Sequence, residues 1–110
     1  MRWQDMTGPE VEEFANTTDL ALLPVGCVEM HGPHVPSGSD AFIATEVCDR
    51  IAVDLGCIVL PTMYYNVNAM MKRFPGTISI APDVLTPLYD SIFKECARNG
   101  FSKIFAVVCH

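Results

Sequence analysis

The stretch from residue 21 to residue 60, ALLPVGCVEMHGPHVPSGSDAFIATEVCDRIAVDLGCIVL, decides the fold. Residues 21–25 form a short apolar run that is typical of a buried parallel strand, and residues 57–60 form a second one. Between them, apolar residues recur from Asp40 onward at the spacing of one helical face, and Gly56 supplies a stop. These helix positions are Ile43, Ala44, Val47, Cys48, Ile51, Ala52 and Leu55. A strand, a helix and a strand in this order predict a right-handed crossover between parallel strands.

The flanking segments continue this alternation of strands and helices. Residues 7–10, TGPE, have the pattern of a capping box with a proline in the first turn, and they predict a short helix to about residue 15. A second long helix begins at either Pro82 or Pro87, since either proline can occupy a first turn, and residues 104–108 predict a third strand. The apolar face of that helix comprises Leu85, Leu88, Tyr89, Ile92, Phe93, Cys96 and Ala97. The predicted fold is therefore α/β, with three αβα layers around a mainly parallel sheet.

Two connections contain too much glycine and proline for regular structure. Residues 26–39 hold three glycines and two prolines and predict a long loop, and long loops in compact domains are usually functional. Residues 74–77, FPGT, have the chemistry of a turn, because proline presets one dihedral angle and glycine accepts a positive φ. Residues 64–73 fit no single pattern, and residues 77–80 are expected to be briefly extended.

Length, composition and charge exclude several classes of protein. With 110 residues, half of them hydrophobic, the chain fits one small domain with a core of ordinary size. The net charge of −6 and the lack of a basic run argue against nucleic acid or an anionic membrane as a partner. No apolar run approaches the ~20 residues that span a bilayer, and the first residues lack the apolar core of a signal peptide. We therefore expect a cytoplasmic protein.

The cysteines indicate no disulfide framework. There are five of them, without a C-x-x-C pair, which matches neither a set of disulfides nor a zinc ribbon. We expect reduced thiols, and Cys48 and Cys96 to pack as small buried hydrophobes on the two long helices.

Residue types that bind metals collect at one predicted edge of the sheet. The long loop carries Glu29, His31, His34 and Asp40, and His110 follows the last strand. Ligands of such sheets bind beyond the carboxyl ends of the strands. Residues two apart in an extended segment point the same way, so Glu29 and His31 can face one site. A mixed set of carboxylates and imidazoles suits Zn²⁺ or Mn²⁺.

Each of these residues also has a plain structural interpretation. Asp40 can be an N-cap of the helix that follows it, Glu29 a solvated charge, and the histidines loop or terminal residues. Short motifs have many false positives. Spacing alone therefore leaves both a metal site and an ordinary loop open.

Three ordered motifs resemble the creatininase family. Residues 23–36, LPVGCVEMHGPHVP, followed by GSD at 38–40, resemble the family signature P-V-G-S-x-E-Q-H-G-P-H-L-P with T-D or V-D shortly after it. Residues 74–77 match its F-P-G-T motif. Residues 99–110 align without a gap with the helix end and strand that lead into its N-G-H motif. The resemblance extends from about residue 20 to the last residue.

This resemblance implies a creatininase-like fold and a metal-dependent amidohydrolase. Such an enzyme hydrolyses a C–N bond, other than a peptide bond, in a small-molecule amide of the cyclic amide or formamide type. It uses two divalent ions, Zn²⁺ or Mn²⁺ or both, which share a hydroxide as the nucleophile, and it typically forms a homo-oligomer. By resemblance Glu29, Asp40 and His110 bind one metal, and His31 with Asp40 binds the other, so that Asp40 bridges. His34 is not a ligand there, and we expect it to form a hydrogen bond or hold the loop.

Departures from the family pattern raise a second interpretation. Cys27 stands where the family has serine, and Val108-Cys109 stand where it has Asn-Gly, which could shift the turn that presents His110. The family's second metal needs a glutamate beyond the histidine, and its catalytic and substrate residues come later still. Residues 1–110 are therefore interpreted as the N-terminal portion of a single, truncated creatininase-like domain. The alternative is a catalytically inactive metal-binding fragment that keeps three or four ligands but no substrate pocket. In either case we expect the 110-residue chain to hold at most one tight ion, and to self-associate through uncovered apolar surface or fold poorly.

A third interpretation makes Cys27 a thiol nucleophile with His31 as its base, because a cysteine after a glycine in a loop can be activated. Otherwise Cys27 is expected to touch no proposed ligand. The substrate is not specified by these residues. The polar segment containing Tyr64, Tyr65, Asn66 and Asn68 is either a pocket wall or a surface loop.

Overall fold

A computed structural model describes residues 1–110 and contains a three-stranded parallel sheet. The strands are Leu20–Val25 (β1), Ile58–Val59 (β2) and Lys103–Val108 (β3), in the order β2-β1-β3. β1 lies in the centre and pairs with β3 in register from Leu20 opposite Lys103 to Val25 opposite Val108. All three strands therefore present their carboxyl ends at the same edge, as the sequence predicts.

Three helices connect and flank the strands. They are Gly8–Ala15 (α1), Ser39–Leu55 (α2) and Pro82–Arg98 (α3). The Glu10 carboxylate accepts hydrogen bonds from the backbone N–H and the hydroxyl of Thr7, both at 2.7 Å, which caps α1. α2 ends at Gly56 with a φ of 61°. α3 begins at Pro82, which settles the open start of this helix.

The central strand is covered on both faces, which confirms the three-layer αβα architecture. Alternate residues of β1 face opposite sides. On one side Ala21, Leu23 and Val25 join residues of α1 and α3 in a core cluster. On the other side Leu22 packs with Cys48 and Ala52 of α2. None of the helices is both long enough and apolar enough to span a membrane.

The structure corrects several details of the predicted elements. β2 spans two residues rather than four, although the N–H of Leu60 still donates to the carbonyl of Leu22 at 2.8 Å. On α2 only a central line of small residues is buried, and Ile43 and Leu55 are 55% and 56% exposed. On α3, Leu88, Phe93 and Ala97 are exposed as well. Spacing finds the apolar face of a helix, but the width of the neighbouring layer determines how much of that face is covered.

β3 is also less covered than its apolar sequence suggests, in contrast to the buried central strand β1. It pairs with β1 along its whole length and lies at the edge of the sheet. Phe105 and Val108 are 61% and 58% exposed. An apolar edge strand with open side chains is a surface on which another chain segment can pack.

Candidate metal centre

A close approach at Gly26 brings the start of α2 against the end of β1. A Cβ at Gly26 would overlap the backbone of Ala41, so only glycine allows this contact. The loop then runs through Cys27 and Val28, whose carbonyl accepts a hydrogen bond from the N–H of Ile78 at 2.9 Å. The N–H of Glu29 donates to the carbonyl of Ser37 at 3.0 Å. Backbone hydrogen bonds at Val28 and Glu29 therefore fix the part of the loop that leads into the candidate ligands.

Asp40 lies at the centre of the predicted site. It is 9% exposed in the first turn of α2. Its Oδ1 lies 2.9 Å from Nε2 of His31, and its Oδ2 lies 3.3 Å from Nδ1 of His110. Oε1 of Glu29 lies 3.7 Å from each of these two ring nitrogens. The structure thus brings together all four residues that the sequence nominates, while their role as metal ligands stays a prediction.

Backbone carbonyls orient both imidazoles. Nδ1 of His31 lies 3.0 Å from the carbonyl oxygen of Glu29, and Nε2 of His110 lies 3.0 Å from that of Val67. Because a carbonyl can only accept, each of these outer nitrogens carries the proton. In the neutral imidazole the other nitrogen then directs a lone pair towards Asp40. This is the usual arrangement of metal-binding histidines, whose second nitrogen donates to a carbonyl or a carboxylate.

The donor set fits a divalent cation. Ligand atoms of Cys27, Glu29, Asp40 and His110 all lie within 4.8 Å of one another. Usual zinc bond lengths place tetrahedral ligand atoms roughly 3.3–3.8 Å apart. A cation can therefore be held here with small side-chain adjustments.

Cys27 belongs to this cluster, which corrects the expectation that it touches no proposed ligand. Its Sγ lies 3.2 Å from Oδ2 of Asp40 and 3.1 Å from Nδ1 of His110, and the residue is fully buried. The alternation that pairs Glu29 with His31 also places Cys27, two residues before Glu29, on the same side. That signal was available in the sequence.

The interpretation of Cys27 as a nucleophile with His31 as its base finds no support in this geometry. The contacts of the thiol are with Asp40 and His110. Burial, and then the Asp40 carboxylate, raise the pKa of Cys27 to about 12. A cysteine nucleophile needs the opposite shift, since the thiolate is the reactive form.

The pKa of His31 is shifted in the direction that favours the charged imidazolium. The hydrogen bond to the Glu29 carbonyl is the main cause that raises the pKa of His31 above its usual 6.5, and the Asp40 carboxylate adds to it, while burial opposes both. Without a cation the inner nitrogen of His31 therefore tends to hold a proton against Asp40. A metal at this position has to displace that proton.

The segment before the FPGT turn closes one side of the site. The amide of Asn66 donates to the carbonyl of Gly26 at 3.3 Å, and the amide of buried Asn68 donates to the carbonyl of Ile78 at 3.0 Å. Val67 between them accepts the hydrogen bond of His110. Sequence patterns did not identify Val67, because its role comes from a backbone carbonyl. Tyr64 and Tyr65 are exposed.

Two further expectations concern the residues before His110 and the side chain of His34. Val108-Cys109 leave His110 in place, because the N–H of Cys109 donates to the carbonyl of Val25 at 3.0 Å and so extends the β1–β3 pairing to the residue before the histidine. His34 is exposed, and its side chain forms no hydrogen bond within the chain. The expected hydrogen-bonding role for His34 is therefore not seen within this chain.

Comparison with known proteins identifies the family. The family model described as creatininase (creatinine amidohydrolase) matches residues 4–110. The chain belongs to the creatininase family. It is 33% identical over 112 residues to a creatinine amidohydrolase of Pseudomonas putida, which covers 96% of this chain and 43% of that relative.

Other relatives carry different names. A 3-dehydro-scyllo-inosose hydrolase of Thermotoga maritima is 29% identical over 102 residues, with 92% of this chain and 33% of that protein covered. A mycofactocin precursor peptide peptidase of Mycolicibacterium smegmatis is 35% identical over 97 residues, with 83% and 39% covered. The chain thus spans less than half the length of these three relatives, two of which are named as hydrolases and one as a peptidase.

Solved structures of the family have the same fold. A crystal structure of creatinine amidohydrolase superimposes with a TM-score of 0.94 at 31% identity, covering 99% of this chain and 44% of that one. A manganese creatininase and a mutant creatininase of Zn–Zn type each give a TM-score of 0.92 at 30% identity, with 99% and 45% covered. The fold class derived from the sequence is confirmed.

Proposed function

We propose that residues 1–110 are the N-terminal portion of a single creatininase-like domain that hydrolyses a C–N bond of a small-molecule amide. The observation that carries this proposal is the position of Asp40, which has one imidazole nitrogen at each carboxylate oxygen. A carboxylate in that position is suited to bridge two cations. The relatives named as hydrolases and the manganese and zinc forms among the similar structures support the same conclusion.

The residues present define how metals would be held. Glu29, Asp40 and His110 would bind one ion, and His31 with Asp40 would bind the other. When bound, a pair of Zn²⁺ or Mn²⁺ ions acidifies a water molecule and polarises a carbonyl group, which is the chemistry that amide hydrolysis needs.

The chain's own contribution is to orient these ligands in advance. The Val67 carbonyl fixes His110, and the Glu29 carbonyl fixes His31, so that neither ring has to reorient on binding. The side chains of Asp40 and Glu29 are mostly shielded, at 12% and 15% exposure, while the two imidazoles are about one quarter exposed. A small molecule could therefore approach on the side of the histidines.

The substrate that we favour is a small amide of the cyclic amide or formamide type. This choice rests on the family and on the P. putida relative, whose name specifies creatinine. The names of other relatives specify an inosose and a precursor peptide, so neighbouring substrate classes have to be tested beside it.

A second candidate function is a catalytically inactive metal-binding fragment. It is favoured by the share of the relatives that this chain spans, 43% of the P. putida protein. The two candidates differ in turnover and agree in metal binding. They are therefore separated by assaying the 110-residue chain and the longer protein of which we propose it is a part.

The experiment is removal and return of metal. Dialysis against a chelator should abolish hydrolysis of small amides by the longer protein, and Zn²⁺ or Mn²⁺ should restore it, with Mg²⁺ as the control. Full activity in the stripped protein would refute the metal mechanism. Turnover by the 110-residue chain alone would refute the view that the rest of the domain is needed.

We also propose a cytoplasmic location and a homo-oligomeric assembly. The physical support for assembly is the exposed apolar surface of β3, where Phe105 and Val108 are open. Light scattering of the purified 110-residue chain should therefore show self-association. A monodisperse monomer that melts cooperatively would contradict this expectation.

A further inference from the structure

Cys27 lies among the proposed ligands and is turned towards them. Its Sγ is 3.2 Å from the Asp40 carboxylate and 3.1 Å from the His110 ring, and no part of the residue reaches solvent. It forms one group of potential ligand atoms with Glu29, Asp40 and His110. None of the other four cysteines belongs to such a group, and Cys48, Cys57 and Cys96 are buried among apolar residues.

The three inner atoms of this cluster lie close together. Nε2 of His110 is engaged by the Val67 carbonyl at 3.0 Å, so Nδ1 is the nitrogen that faces the cluster. Sγ of Cys27 lies 3.1 Å from this Nδ1 and 3.2 Å from Oδ2 of Asp40, and the last two atoms are 3.3 Å apart. A cation bound among the three atoms would contact all of them.

We propose that Cys27 is a thiolate ligand of the metal on the His110 side of Asp40, which makes this position selective for thiophilic cations such as Zn²⁺ over Mn²⁺. The proposal rests on the metal site of the proposed function and specifies its chemistry. On binding, the S–H bond breaks, a sulfur–metal bond forms, and the proton is released to solvent.

The selectivity follows from the ligand types. Thiolates favour zinc, whereas carboxylates and water favour manganese. Three nitrogen and oxygen donors from Glu29, Asp40 and His110 would suit either ion. The sulfur of Cys27 adds a fourth protein ligand, and this ligand favours zinc. The His31 side of Asp40 has no sulfur in contact, so the selectivity should be confined to one of the two positions.

Cobalt spectroscopy on the reduced 110-residue chain tests the sulfur bond directly. Co²⁺ should give a thiolate-to-cobalt charge-transfer band in the near ultraviolet, together with the visible bands of a four-coordinate ion. Cys27→Ser should retain the visible bands and lose the charge-transfer band. Cys109→Ser is the matched control, because it removes the thiol next to His110 that lies outside the cluster, and it should keep both.

A second measurement needs no variant. X-ray absorption of the zinc-loaded chain should show one sulfur at ~2.3 Å among nitrogen and oxygen ligands.

A third measurement, metal competition, tests the selectivity. Cys27→Ser should lower the preference for Zn²⁺ over Mn²⁺ by roughly ten-fold or more, and Cys109→Ser should leave the preference unchanged.

The outcomes separate this inference from the function on which it rests. Zinc or cobalt that binds without a sulfur signal, or a charge-transfer band that survives in Cys27→Ser, overturns the thiolate ligand and leaves the metal site intact. A chain that binds none of Co²⁺, Zn²⁺ and Mn²⁺ overturns both proposals. A sulfur signal that disappears only with Cys27→Ser supports both.

Discussion

The two oxygens of the Asp40 carboxylate have unequal surroundings. On the Oδ2 side lie Nδ1 of His110 and Sγ of Cys27, at 3.3 and 3.2 Å. On the Oδ1 side lies Nε2 of His31, at 2.9 Å. Glu29 stands between them, with its Oε1 3.7 Å from either ring. Under the proposed function, this difference predicts one nearly complete metal position and one partial position, joined by a single carboxylate.

Removing the carboxylate itself should have the largest effect. Asp40→Ala takes away the carboxylate that lies within hydrogen-bond distance of both imidazoles. Two cations without the bridging charge would repel each other. We expect the longer protein to lose bound metal and amide hydrolysis together, by at least about a hundred-fold in rate. Metal analysis and an amide assay measure the two losses.

The matched control for this variant is Asp54→Ala. Asp54 is an exposed carboxylate on the same helix, so its replacement changes the charge equally without touching the site. Normal hydrolysis by Asp40→Ala, combined with an inactive Cys27→Ser, would reject the metal mechanism and restore the thiol nucleophile.

The sequence predicts the strands, the helices and the convergence of the four residues because these depend on local periodicity and on a rule of topology. Parallel strands end at the same edge, so the loop after β1 and the residue after β3 have to meet there. The contact of Cys27 with Asp40, and of Val67 with His110, depends on the path of two irregular segments. Hydrophobic periodicity carries no information about such paths.

Burial of the outer residues could not be predicted for a different reason. Ile43 and Leu55 lie on the apolar face of α2, and Phe105 lies on an apolar strand, yet all three are more than half exposed. Spacing shows which residues share a face. Whether another layer covers that face depends on the size of the neighbouring elements.

The metal content of the 110-residue chain tests the inequality of the two positions directly. Since only the Oδ2 side gathers four ligand residues, we expect one tightly bound divalent ion per chain after exhaustive dialysis. Elemental analysis of the reduced protein gives the ratio. Two fully occupied metals in this chain would show that the His31 side is also complete, and would refute the predicted difference between the two positions.

Replacing each histidine in turn assigns the tight ion to one side. His110→Gln removes a ligand from the four-residue group and should weaken Zn²⁺ binding by roughly ten-fold or more. His31→Gln removes the contact on Oδ1 and should change the affinity for the first ion by only a few fold. Calorimetric titration of both variants provides the comparison. A larger loss for His31→Gln would place the tight ion on the opposite side.

The smallest expected effect is a pH dependence of the stability of the metal-free chain that arises from His31, on the Oδ1 side. The Glu29 carbonyl and the Asp40 carboxylate raise the pKa of His31 above its usual 6.5. A group whose pKa is raised on folding stabilises the folded state below its unfolded pKa. Wild-type protein should therefore exceed His31→Gln in stability below pH 6.5, and this advantage should disappear as the pH rises through the pKa of the folded state.

Denaturant unfolding across this range measures the difference, and NMR titration of the imidazole in wild type and Asp40→Asn measures the pKa. Asp40→Asn should lower that pKa only in part, because the main cause of the shift is the Glu29 carbonyl, which this variant leaves in place. If the imidazole titrates at or below its usual value in the metal-free wild type, the Oδ1 side does not hold a proton against Asp40, and the proposed competition between proton and metal at His31 does not exist.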